Sequence, residues 1–402
     1  MDKVGYVEKI KALSNKYGGT IIGWRRRLHE HPELSFEEYE TSAFISARLD
    51  EIGCKVTRNV GGTGVTGLLD TKRPGPVIAF RADMDALPIS ESDGVPFASK
   101  KPGVMHACGH DAHMAIILGL AKLLSECVDE LNGTIKFIFQ PGEEANGGAR
   151  RVIEAGALEN PSVEAIFALH MVPDLLSGTI GVRSGYVTAT DDNVIIRVKG
   201  VNAHSSAPQE GVNAVLLAAH IVTALQTISS TRISPFDIAT FSICTIKGGE
   251  AQNVIPDYAE MTGMIRCIKK TDKLIFRENI RKICLNTAQA LGGSAEVEFI
   301  DGYPAVYNDK KYTKILMDSS AMIMDEADII EIPMPHMGSE DFSYYQEQIP
   351  GVMFMLGSNW KDGRSGPLHS PAFNICEDSI PLGLKLFASL AFTLCAGETH
   401  SS

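Results

Sequence analysis

Apolar residues recur at helical spacing through residues 3–52, which predicts two or three amphipathic helices with LHEHPEL (28–34) as a break between them. Pro32 suits a place near a helix start and not an interior one. Past the turn Gly61–Gly64 the period changes. Val65–Asp70 and Val77–Ala82 read as strands, GTIKFIFQ (133–140) as a buried strand closed by Pro141-Gly142, and AIFALH as a strand ending at His170. His113–Leu124 is apolar at helical spacing, so a helix should start near Asp111. Strands alternating with helices predict an α/β fold whose mostly parallel sheet is covered on both faces. In such sheets chemistry gathers where strands end.

The middle of the chain has a different rhythm. NVIIRVKG (193–200) alternates like a half-buried strand, and residues 212–229 form an apolar-periodic helix. Strands follow near 238–247 and 258–267, then a helix near 272–291, then AEVEFI (295–300). The order βαββαβ is that of a ferredoxin-like sandwich. It predicts an inserted domain of residues 189–301, with 1–188 and 302–402 forming a discontinuous first domain. The strand VMFMLG (352–357) and helices near 309–325 and 377–395 belong to that first domain.

Composition narrows the class. The 402 residues are 44% hydrophobic, enough for two compact domains. The net charge of −12, without a basic stripe, argues against nucleic acid or an anionic membrane as partner. The N-terminal stretch MDKVGYVEKIKALSNKYGG lacks the apolar core of a signal peptide. Apolar runs such as Ala115–Leu120 and Leu386–Phe392 are too short to span a bilayer, so a cytoplasmic location is expected. None of the eight cysteines forms a CxxC pair, which argues against a disulfide framework or zinc knuckle.

The densest chemical pattern is MHACGHDAH (105–113), where Cys108 and His110 flank a glycine just before the expected helix. Thiolate and imidazole are ligands of zinc and similar ions. Asp111 reads either as an N-cap or as a carboxylate orienting a ligand. Glu143 and Glu144 follow the strand KFIFQP. Such a pair is a solvated turn in the common case, but it suits a division of labour in which one carboxylate binds metal and the other moves a proton. His170 and His369 each read alone as ordinary histidines. Jointly, one cysteine, three histidines and one glutamate exceed the four ligands of a closed structural zinc site and suit two ions.

These residues stand in motifs that resemble the M20 metallopeptidases, in the amidohydrolase branch of hippurate hydrolases, N-acyl-amino-acid deacetylases and auxin-conjugate hydrolases. The motifs are RRLHEHPELSFEE (26–38), RADMDALPI (81–89), MHACGHDAH, FQPGEE (139–144), LHM (169–171), GVNAHSSAP (200–208), NVIPD (253–257), GSEDFSYY (338–345) and LHSPAF (368–373). The resemblance implies a zinc-peptidase-like catalytic domain with an inserted lid and dimerisation domain. It implies two divalent ions per subunit, zinc first, with manganese, cobalt or nickel as alternatives. Cys108 would bridge them, Glu144 and His369 completing one ion and His110 and His170 the other. Glu143 would be general base and later general acid, and Asp85 would orient a ligand histidine. Asp83 stands where peptidase relatives carry a ligand histidine. His204 would polarise the scissile carbonyl as an oxyanion donor, within its own subunit or across a dimer; its plain reading is a surface-loop histidine. Asn253 and Arg266 follow the family pattern for substrate binding. Arg266 is either a grip on the substrate carboxylate or half of an ion pair on a strand.

The loop around His204 departs from the family, with Ala203, Gln209 and Asn213-Ala214 where relatives carry glycine, histidine and Asp-Pro. That bears on substrate preference and leaves the ligand positions intact. The expected activity is metal-dependent hydrolysis of N-acyl-L-amino acids. The resemblance allows a homodimer through the inserted domain. Competing readings are a dipeptidase or carboxypeptidase of the same family, a non-catalytic metal-binding protein, and a Ser-His-Asp hydrolase. The last lacks a GxSxG elbow.

Overall fold

A computed structural model describes residues 3–92, 94–145 and 147–396. The chain divides into two compact units. One comprises the chain up to Gly185, Tyr307–Met334 and everything from Asp341 onward. The other comprises Tyr186–Val306 and Pro335–Glu340. The short return segment joins the second unit through main-chain bonds from His336 N to Val187 O (2.8 Å) and from Ala189 N to Gly338 O (3.0 Å).

The first unit is built on an eight-stranded sheet. Its strands in chain order are β1 (Lys55–Val60), β2 (Gly64–Asp70), β3 (Val77–Asp83), β4 (Thr134–Gln140), β5 (Ala165–Leu176) and β6 (Ile180–Val182), with Ile329–Glu331 and Gly351–Asn359. The spatial order is β1-β2-β4-β3-β5, then Gly351–Asn359, β6 and Ile329–Glu331. The central pairs β4–β3, β3–β5 and β5 with Gly351–Asn359 are parallel. The pairs β1–β2 and β2–β4 are antiparallel. A mostly parallel sheet under helices explains the largely apolar sequences of β3 and β4, which are buried almost throughout.

Helices α1 (Lys3–Glu30), α2 (Tyr39–Ile52) and α3 (His110–Ser125) also belong to this unit. The break between α1 and α2 spans residues 31–38, later than the predicted LHEHPEL run, whose first three residues still belong to α1. Helix α3 is buried on nearly every side, packed against α1, β3 and the helix Ser379–Cys395, which is why its sequence is apolar all round. Strand β5 does not stop at His170. Its pairing with β3 ends at Ala168, but it stays paired with Gly351–Asn359 as far as Leu176. His170 therefore sits at the rim of one neighbour while still held by the other.

The second unit has a four-stranded antiparallel sheet of Thr190–Lys199, Ala239–Gly248, Tyr258–Cys267 and Ser294–Asp301. With helices Ala214–Leu225 and Lys270–Ala290 it has the βαββαβ order. The helix predicted over 212–229 begins at Ala214, because Asn213 caps it: its side-chain oxygen accepts from Val215 N and Leu216 N. A second short helix, Thr227–Thr231, follows.

Phe80 anchors the first core. It is fully buried, with ring centroids 5.8 Å from Phe167 and 5.0 Å from Phe387. Phe80→Ala is expected to destabilise this unit by about 3–5 kcal/mol, measured as an earlier first transition in denaturant unfolding.

Candidate metal centre

The ends of three parallel strands converge on one region of the first unit. Arg81 and Asp83 close β3, with Asp85 two residues on. Gln140 closes β4 and leads through Pro141-Gly142 into Glu143 and Glu144. His170 lies on β5 beyond its last β3 partner. Helix α3 starts at His110, one residue earlier than predicted. Gly109 precedes it with φ of 86°, a conformation open to glycine, so Cys108 and His110 straddle a sharp turn.

The donor atoms of Cys108, His110 and His170 lie within 4.8 Å of one another, and so do those of Cys108, Glu144 and His369. Cys108 Sγ is 3.4 Å from His170 Nε2 and 3.3 Å from His369 Nε2. His369 Nε2 is also 3.0 Å from Glu144 Oε1. His369 has a left-handed φ of 59°, and its backbone N–H donates to Ala107 O at 2.9 Å. This strained, stitched loop carries the imidazole to the sulfur.

Ring tautomers follow from the bonds. His110 Nδ1 lies 2.8 Å from the Asp85 carbonyl oxygen, and His170 Nδ1 lies 2.8 Å from that of Met171. A carbonyl only accepts, so Nδ1 carries the proton in each ring and Nε2 keeps its lone pair. His110 Nε2 is buried with no hydrogen-bond partner among the described residues. An unmet buried nitrogen is costly. A cation satisfies it, and a set of thiol, imidazole and carboxylate suits zinc and related divalent ions. The residues present therefore fit a pair of such ions.

The acid–base state agrees with crowding of donors. Burial pushes the Cys108 thiol up, against the pull of His110 and His369. Burial, then His113, pushes His170 down to about 3. Bonds with Cys108 and then Glu144 push His369 up to about 10. A bound cation favours the thiolate and the neutral imidazole instead.

Several contacts around the centre were not evident in the sequence. The Asp85 carboxylate accepts from Glu143 N at 3.1 Å, Glu144 N at 3.0 Å and Ser35 Oγ at 2.6 Å. It stands 3.5 Å from His110 Nδ1, so Asp85 holds that ring by its backbone carbonyl and holds the two glutamates by its side chain. Asp83, His110 and His113 form another close donor group. However, His113 Nδ1 donates to Asp83 Oδ1 at 2.6 Å, and His113 Nε2 accepts from Met171 N at 2.9 Å. Both nitrogens are spent, so His113 fastens β5 beside His170 and has no lone pair for an ion.

Asp83 is buried. Burial alone would raise its carboxyl, but His110, His113 and Arg81 hold it well below the usual range. Arg81 donates to Asp83 Oδ2 at 2.7 Å, Gln140 Oε1 at 2.9 Å and Asp341 Oδ1 at 2.8 Å. The two-residue spacing of Arg81 and Asp83 on one strand face was the available clue. Asp111 is inside α3 and is not an N-cap. Its Oδ2 is bonded by Arg25 Nε at 2.7 Å and by His29 Nδ1 at 2.8 Å.

The remaining candidates belong to the second unit. His204 is exposed, and its Nδ1 accepts from Ser206 N at 3.2 Å, which leaves the proton of the neutral ring on Nε2. Asn253 is exposed, and its carbonyl accepts from Ser205 N at 3.0 Å. Arg266 Nη1 donates to Met337 O at 2.8 Å. Among the described residues Arg266 forms no ion pair, so the strand ion pair is not realised.

Comparison with known proteins follows the same lines. Residues 79–393 match the peptidase family M20/M25/M40. The chain is 40% identical to N-acetylcysteine deacetylase of Bacillus subtilis (strain 168) over 372 residues, 92% of this chain and 96% of that one. It is 39% identical to thermostable carboxypeptidase 2 of Saccharolobus solfataricus over 394 residues, 96% and 98% of the two chains. Among solved structures, a dinuclear metal binding peptidase of the M20 family from Bacillus subtilis superposes with a TM-score of 0.82 and 38% identity, covering 94% of this chain and 98% of that one.

Arg81→Met strips two buried carboxylates of their shared cation. It is expected to lower stability by about 3–5 kcal/mol, measured by thermal unfolding of the metal-free protein.

Proposed function

The chain belongs to peptidase family M20/M25/M40, a family of metal-dependent hydrolases, and from that premise we propose that it cleaves the amide bond of N-acyl-L-amino acids, releasing a carboxylic acid and a free amino acid. One observation carries this reading. Two donor groups share the Cys108 sulfur, and Glu143 lies beside them, its donor oxygen within 4.8 Å of those of His110 and Glu144.

In this proposal Cys108 would serve both ions, Glu144 and His369 would hold one, and His110 and His170 would hold the other. The ions, zinc or else manganese, cobalt or nickel, supply Lewis acidity at the acyl carbonyl and acidify water. Glu143 takes a proton from the attacking water as its oxygen bonds to the carbonyl carbon. The C–N bond then breaks, and Glu143 gives that proton to the departing nitrogen. His204, with its proton on Nε2, is the proposed donor to the negatively charged carbonyl oxygen. Arg266 is the proposed partner of the substrate carboxylate, and Asn253 a further substrate contact.

The Bacillus deacetylase supports an acyl substrate. The Saccharolobus carboxypeptidase supports a second reading, in which the group on the carbonyl side is a peptide. Both use the same bond chemistry. A panel of N-acetyl and N-benzoyl amino acids set against dipeptides and longer peptides separates them. Higher kcat/KM on the acyl series is expected, and higher kcat/KM on peptides would replace the first reading by the second.

Glu143→Gln is expected to lower kcat about 10³-fold while bound metal, measured by elemental analysis, stays at the wild-type level. A metal-loaded Glu143→Gln protein with wild-type turnover contradicts the assignment. A chelator is expected to abolish activity, and zinc, manganese or cobalt to restore it.

A further inference from the structure

The motif around residues 33–38 is absorbed by no step above, yet it touches the glutamate turn at several points. Gly142 N donates to Glu38 Oε1 at 3.0 Å. The next two amides, of Glu143 and Glu144, donate to the Asp85 carboxylate. Three successive backbone N–H groups are thus aimed at two buried carboxylates. Thr63 Oγ1 bonds the other oxygen of Glu38, and Ser35 Oγ bonds Asp85 Oδ2 at 2.6 Å. Glu38 is fully buried and has no cationic partner among the described residues.

Phe36 completes the arrangement. Its φ of 65° is left-handed, unusual for a bulky residue. Its ring lies against Gly142, where any Cβ would collide with it. The Arg151 guanidinium caps the ring at 4.0 Å from its centroid. The segment is itself tied to the end of β3 by the bond from Ala86 N to Glu33 O at 2.8 Å. A strained backbone and a buried carboxyl without a cationic partner persist where the surroundings over-determine them.

We propose that Ser35–Glu38 is a template that sets the Glu143–Glu144 turn, and that Glu38 is a positioning residue acting through the Gly142 amide; this rests on the role given to Glu143 above. Glu38 contributes reach, an oxygen placed at the right distance from Gly142, rather than charge.

Reach and charge separate in two variants. Glu38→Asp keeps the charge and withdraws the oxygen by one methylene. Glu38→Gln keeps the oxygen and removes the charge. The expected result for Glu38→Asp is a loss of roughly 10–100-fold in kcat, since a misplacement of about 1 Å carries that cost. KM, bound metal and melting temperature should stay near wild type. Glu38→Gln is expected to hold kcat within about threefold, its amide oxygen still accepting from Gly142. Ser35→Ala, which leaves the core untouched, is expected to lower kcat a few-fold, again with KM unchanged.

The proposal is overturned by a Glu38→Asp protein that turns over within twofold of wild type, by equal losses in the Asp and Gln variants, or by a loss that tracks missing metal. Glu143→Gln in the same assay keeps the two ideas apart. If it stays active, the general-base reading falls. If it is inactive while Glu38→Asp matches wild type, only the template falls.

Discussion

Charge held away from water is the constraint around which the first unit is organised. Glu38, Asp83, Asp85, Asp111 and Asp341 are each no more than 1% exposed. A carboxylate in that position must be met by cations or by donors, and the means differ with place. Asp111 is met by Arg25 and His29, Asp83 and Asp341 by Arg81. Asp85 and Glu38 are met by backbone amides and hydroxyls. Where the glutamate turn is held, the stabilising groups are dipoles. An arginine there would repel the divalent ions that Glu144 and its neighbours are proposed to hold. Amides satisfy the carboxylates without adding a fixed positive charge.

The parallel sheet makes this economical. Adjacent parallel strands end on one side, so β3, β4 and β5 deliver Asp83, Gln140 and His170 to one region. The loops that follow then need only a few residues to reach the centre. Arg81 spans the sheet sideways, binding Gln140 on β4 and Asp341 from much later in the chain. His113 reaches from α3 to β5 through Met171 N. His170, the proposed ligand on β5, is therefore held beside helix α3 through Met171 and by the pairing of β5 with Gly351–Asn359 rather than by a free loop.

The sequence showed the parts of this that are local. Period-two and helical patterns located the strands and helices, and Cys108 with His110, or Glu143 with Glu144, stood out because ligand types lay side by side. His170 and His369 drew meaning only when counted with the other donors and from resemblance, since each is a lone histidine 62 and 261 residues from the sulfur it approaches. Less visible still were bonds between a side chain and a distant amide. Glu38 meets Gly142 across 104 residues, and a glycine N–H carries no side-chain signature at all. The continuation of β5 past His170 was hidden for another reason. Whether a strand goes on depends on its neighbour, and Gly351–Asn359 lies almost two hundred residues away by roughly the span of the loops and second unit between them.

Asp85 also shows how two adjacent carboxylates come to differ. Glu143 and Glu144 have the same chemistry and would repel one another in a loose turn. Asp85 takes the amide of Glu143 on Oδ1 and that of Glu144 on Oδ2, so the backbone is fixed at two consecutive points. Glu144 then extends to His369. Glu143, buried and shifted by one residue along the same fixed backbone, keeps its carboxylate beside His110. The difference between the group proposed to hold a cation and the group proposed to move a proton thus rests on one residue of chain offset. That offset has meaning only because the turn cannot relax.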